Sequence, residues 1–67
     1  MTLKAARVIN GLTQREMAKK LGVHVQTYRK WEKNPEIVEV GVAKKISNIL
    51  GISYDNIFFN NDSTLSR

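Results

Sequence analysis

Apolar positions recur at helical spacing through the first 59 residues, and glycine or asparagine interrupts them at short intervals, which predicts five short helices. The first runs from about Thr2 to Asn10, with Gly11 placed to take the left-handed conformation that ends a helix. The second opens on Thr13-Gln14-Arg15-Glu16, a capping box in which hydroxyl and carboxylate each accept from the other residue's amide. Its Met17, Ala18 and Leu21 share one face, and Gly22 closes it. The third spans roughly Val25 to Glu32, with Tyr28 and Trp31 on one face and Arg29 and Lys30 turned away from it. Asn34-Pro35 halts that helix, because proline disfavours helical backbone in the residue before it. Ile37-Val38-Glu39-Val40 reads equally as an extended linker or a β-prone edge. The fourth helix covers about Val40 to Leu50, its stripe formed by Val42 or Ala43, Ile46, Ile49 and Leu50. Ser53 can cap a fifth, Tyr54 to Phe59. Residues 60–67 are polar and read as a disordered tail, leaving an all-α domain over residues 1–59.

Length and composition narrow the classes. A chain of 67 residues holds one small domain and leaves no room for a second one around an enzyme cleft. There is no cysteine, hence no disulfide and no thiolate nucleophile or ligand, and a lone His24 cannot assemble a metal site. No enzyme, cofactor or small-molecule ligand is expected. Apolar runs fall far short of a membrane span, and no secretory segment opens the chain, which fits a cytoplasmic protein.

The net charge of +5 matters less than its placement. Residues 1–33 carry eight Lys/Arg against Glu16 and Glu32, whereas residues 34–67 carry three against four acids. The first half therefore suits a polyanionic partner, although a solvated basic face gives the same count.

Within that half, Gln14 to Lys33 carries the chemistry. Ala18 is small where a second helix crosses, Gly22 permits a tight turn, and Val23 plugs it. With Met17, Leu21, Tyr28 and Trp31 they form the core of the motif. Pinning Tyr28 and Trp31 inward leaves Gln26, Thr27, Arg29, Lys30 and Lys33 on the outer side. A rigid polar helix of this width fits the major groove of B-DNA, with its first turns at the base edges. Gln26 suits the N6 and N7 of adenine, and Lys30, one turn on, the O6 and N7 of guanine; Val25 can pack on a thymine methyl, and Thr27 can reach a base or a phosphate. Gln14 and the amides beside it suit a phosphate, as do Lys33 and Asn34, with Arg15, Lys19 and Arg29 flanking the same surface.

From Leu3 to Phe59 the chain resembles the Xre/Cro/cI family of helix-turn-helix repressors. The resemblance rests on Gly11-Leu12-Thr13-Gln14, Met17 to Val23, Tyr28 to Glu32 and Leu50 to Phe58. It implies a lambda-repressor-like fold with its helix-turn-helix at about 14–33, and base readers at Val25, Gln26, Thr27 and Lys30. It further implies a Gln14 that touches phosphate and braces the reading helix, and a structural pair between Arg7 and Glu32. Two departures stand out: Val25 replaces a polar residue, and His24 stands where Ser or Thr caps the reading helix.

The resemblance implies a homodimer on a pseudo-palindromic double-stranded operator, with the two reading helices about one DNA turn apart. Phe59 with Ile37 or Val38 is the expected contact. A phage-type repressor consisting essentially of the DNA-binding domain is the leading expectation. The alternative is an antitoxin or anti-repressor module that binds mainly another protein, through the same apolar residues. Tyr28 and Trp31 could instead stack on bases, but their spacing favours the core; Lys44 and Lys45 read as solvated.

Overall fold

The computed structural model describes residues 1–59, and the expected tail over 60–67 lies outside them. Four α-helices follow one another: α1 Leu3–Ile9, α2 Gln14–Leu21, α3 Val25–Lys33 and α4 Val40–Leu50. A 3-10 turn, Pro35–Ile37, separates α3 from α4, and a π-helical turn, Asp55–Phe59, ends the described chain. No strand occurs among the described residues.

The local signals explain these boundaries. The Thr2 hydroxyl accepts from the Ala5 amide at the start of α1. Thr13 and Glu16 complete the capping box of α2: the Thr13 amide donates to Glu16 Oε1 at 2.9 Å and the Glu16 amide to Thr13 Oγ1 at 3.0 Å. Gly22 ends α2 with φ 71°, its own amide donating to the Lys19 carbonyl and the Val23 amide to that of Ala18. That paired return needs a left-handed residue, which glycine supplies without steric cost. A left-handed glycine also ends α4, at Gly51, where its own amide and that of Ile52 both return to the Ser47 carbonyl.

The core gathers Leu3, Ala6, Met17, Ala18, Leu21, Tyr28, Ile46, Leu50 and Ile57, so every α-helix and the closing π turn contribute to it. Two further ties hold the ends of the fold together. Asn10 Nδ2 donates to the carbonyls of Ala6 and Leu50, joining the end of α1 to the end of α4. The terminal ammonium of Met1 donates to the backbone and side-chain oxygens of Asn56.

Several expectations need correction. The fifth helix is present but has π geometry over Asp55–Phe59, and across this widened turn Tyr54 packs on both Phe58 and Phe59, ring centres 5.5 and 5.6 Å away. The Ile37–Val40 stretch is no β edge, and the extended linker is confined to Val38 and Glu39. Pro35 opens a 3-10 turn, for which its fixed φ is suited, before Val40 starts α4. Of the residues assigned to the core of the motif, Met17, Ala18, Leu21 and Tyr28 are buried, Val23 and Trp31 are half-buried and Gly22 is exposed. Gly22 acts through its backbone, and Trp31 packs its edge against Tyr28, ring centres 6.3 Å apart, with part of the indole left to solvent. Of the closing aromatics, Ile57 beside them is the residue that enters the core, while Phe58 is half-buried and Phe59 is 57% exposed.

Candidate nucleic-acid interface

The site is built on the way α3 is held. Tyr28 is sealed in the core and Trp31 lies against it, so the inner side of α3 is fixed. Gln26 and Lys30, four residues apart and therefore on one stripe, are exposed, as are Arg29, Lys33 and Asn34. Val25 and Thr27, the other two expected base readers, are only half-exposed, and Val25 packs against the core cluster. Arg15, on α2, is exposed.

A network of charged hydrogen bonds joins this helix to α1 and α2. Arg7 Nε donates to Glu32 Oε2 at 2.6 Å and Arg7 Nη2 to Glu32 Oε1 at 3.4 Å, the side chains being 9% and 6% exposed. The third Arg7 nitrogen, Nη1, donates to the Leu12 carbonyl at 2.6 Å in the α1–α2 connection. Gln14 Nε2 donates to Glu32 Oε1 at 3.0 Å, and Arg29 Nε donates to Gln14 Oε1 at 3.2 Å. One chain of contacts, Arg7–Glu32–Gln14–Arg29, thus runs from the edge of the core to the surface. The Gln14 amide braces two neighbours, its oxygen accepting from Arg29 and one of its two nitrogen hydrogens going to Glu32.

Electrostatics follow the geometry. Burial alone would raise the Glu32 carboxyl, but its interactions with Arg7, Tyr28 and Gln14 outweigh burial and hold it below the usual carboxylate range. The hydrogen bond to Glu32 raises Arg7 above its already high ordinary value. Burial, then the neighbouring Glu32 carboxylate, pushes the Tyr28 phenol upward; its hydroxyl lies beside the pair without a hydrogen bond of standard geometry. The hydrogen bond from the Thr13 amide keeps the exposed Glu16 carboxyl low.

Reasoning from the sequence missed Lys4. It borders a groove of about 400 Å³ together with Gln14, Arg29, Glu32 and Lys33. The signal was present: Lys4 precedes Arg7 by three residues, hence lies one turn earlier on the same face of α1. His24 makes no side-chain cap bond at the start of α3, in keeping with its unusual place there. Among the described residues no group of three His, Cys, Asp or Glu could hold a metal ion, and no helix is long and apolar enough to cross a membrane.

Two short helices joined through a left-handed glycine, the second pinned inward and polar outward, define a helix-turn-helix. The helix-turn-helix family model matches residues 3–57, and the chain belongs to that family. It is 38% identical over 60 residues to an uncharacterized HTH-type transcriptional regulator of Methanocaldococcus jannaschii, a match covering 90% of this chain and 91% of that protein. No solved structure matches the chain.

Proposed function

We propose that the chain is a sequence-specific double-stranded DNA-binding transcriptional regulator, acting as a repressor of the Cro kind. The observation that carries this reading is the exposed stripe of Gln26 and Lys30 on a helix whose opposite side is locked by Tyr28 and Trp31. Gln26 and Lys30 read bases in the major groove, with the partly exposed Val25 and Thr27 adding a methyl and a hydroxyl contact at the helix start. Arg15, Arg29, Lys33 and Asn34 meet phosphates, and the first amides of α2, at Gln14 and Arg15, face the same backbone. The relative named a transcriptional regulator supports regulation; it comes from an archaeon, so the phage-type assignment rests on the sequence motifs.

The protein acts in the cytoplasm as a homodimer on a pseudo-palindromic operator. Ile37, Val40 and Phe59 are 54%, 56% and 57% exposed and supply the apolar contact between subunits. The same patch favours the second reading, an antitoxin or anti-repressor whose main partner is another protein.

Selection of bound duplexes from a random pool tests DNA binding, the site and its symmetry together. Gln26→Ala and Lys30→Ala should each relax preference at one position, by about 1–3 kcal/mol per bidentate contact. An unchanged ranking of sequences with both variants would show that another surface reads the bases. Absence of any enriched duplex, with a protein captured instead, would favour the second reading.

A further inference from the structure

We propose that Lys4, Arg29 and Lys33 form a phosphate clamp beside the reading helix, and that Gln14 is a positioning residue which holds Arg29 for it. This rests on the DNA-binding reading above.

The groove of about 400 Å³ bordered by these residues carries three cations drawn from α1 and α3. Its one carboxylate, Glu32, is already matched by Arg7 and takes a further hydrogen bond from Gln14. The groove is therefore cationic despite the acid. Lys4 also borders the adjoining groove of about 470 Å³, which passes Gly11, Leu12 and Thr13 to the start of α2. Lys4 and Gln14 line both open grooves. Open grooves with charges on separate elements fit a repeating phosphate backbone better than a small enclosed anion.

Gln14 gives one of its two amide hydrogens to Glu32 and accepts from Arg29 through its oxygen, so its side chain is tied to the network on both sides. Arg29 uses only Nε in that contact, so both terminal nitrogens of its planar fork remain available for bidentate phosphate binding. The guanidinium is held at its base by a chain of bonds anchored at the buried Arg7. It gives up less freedom on binding than a loose surface arginine.

The test uses a duplex carrying the selected site, with affinity measured between 50 and 200 mM NaCl for the full chain and its variants. Lys4→Ala and Arg29→Ala should each lower the salt slope by about 0.9, which is about a 3.5-fold smaller loss of affinity across that range. Neither should change base preference. Gln14→Ala should weaken binding in the wild-type background but have less than about a twofold effect when added to Arg29→Ala, as non-additive partners do. If Gln14→Ala fails to fold, Arg29→Lys carries that arm. An ammonium lacks the fork that meets Gln14 and a phosphate together, so the slope should stay while binding weakens several-fold. An unchanged slope for Lys4→Ala removes Lys4 from the clamp. Effects of Gln14→Ala and Arg29→Ala that multiply, or wild-type affinity for Arg29→Lys, overturn the positioning role. A wild-type chain that binds no duplex overturns the DNA-binding reading itself, an outcome distinct from variants that behave like a binding wild type.

Discussion

Removing Glu32 should cost this small domain most of its stability. The carboxylate and its partner Arg7 are 6% and 9% exposed, so neither has water to fall back on. Glu32→Ala leaves the guanidinium with the Leu12 carbonyl as its one remaining partner among the described residues. Stranding one member of a buried pair costs about 3–5 kcal/mol. A chain of 67 residues has roughly 3–10 kcal/mol in total, at about 0.05–0.15 kcal/mol per residue. At about 4–8 °C per kcal/mol, the melting temperature should fall by at least about 12 °C. Replacing both partners by methionine removes the stranded charge as well as the pair. That double variant should lie within about 2 kcal/mol of wild type, the loss coming chiefly from the Leu12 carbonyl. Urea and thermal unfolding followed by far-UV circular dichroism measure all three. The acid side supplies a second arm. The Glu32 carboxyl is depressed in the folded state, so its contribution is complete above the unfolded carboxylate value of about 4.3 and is lost as pH falls through the lower folded value. Wild type should therefore lose stability below about pH 4 more steeply than Glu32→Gln. A cost below about 1 kcal/mol for Glu32→Ala, the worth of a solvated surface pair, would refute the reasoning. So would a double variant as unstable as the single one.

Two other substitutions test the groups around the turn and the network. Tyr28→Phe deletes a buried hydroxyl that has no hydrogen bond of standard geometry, so stability should equal or exceed wild type by up to about 1–2 kcal/mol; a loss of that size in a urea melt would mean that the hydroxyl donates to Glu32 in solution. Gly22→Ala places a methyl in open space but at φ 71°, so it should cost about 1–2 kcal/mol from backbone strain alone, seen as a lower urea midpoint with an unchanged slope.

Local chemistry made most of the fold legible. Thr13 and Glu16 announce the start of α2, Gly22 its end and Pro35 the break before α4, each through a bond or dihedral that one or two residues decide. The spacing of Met17, Ala18, Leu21 and Tyr28 marked the inner faces for the same reason. What escaped is set by side chains that meet across elements. The period of the aromatic cluster does not reveal that Tyr54 faces two rings at once across a widened last turn. The type of residue at 14 suggests a phosphate contact, and only the assembled α2–α3 pair reveals its bonds to Glu32 and Arg29. Lys4 escaped because no local rule singles out one lysine on a basic helix; its meaning comes from Arg7, which fixes the face of α1 that meets α3.

The start of α3 shows how a missing cap is replaced. A good cap in place of His24 would contribute about 1 kcal/mol, and no side-chain bond supplies it. Val25, the next residue, packs on the core cluster and is half-buried. Half-burying a valine side chain contributes about 1 kcal/mol, roughly half the value of full burial, so apolar packing offsets the absent hydrogen bond. The substitution of valine for a polar residue at this position then has two consequences of opposite sign. It anchors the first turn of α3 against the body of the domain, and it withdraws one hydrogen-bonding side chain from the outer face. In the proposed DNA-bound state, discrimination among bases would consequently fall more heavily on Gln26 and Lys30, one turn apart on the exposed stripe. The network through Glu32 and Gln14 fixes the same helix farther along, so α3 is held at its start by the packing of Val25 and toward its end by the bonds of Glu32.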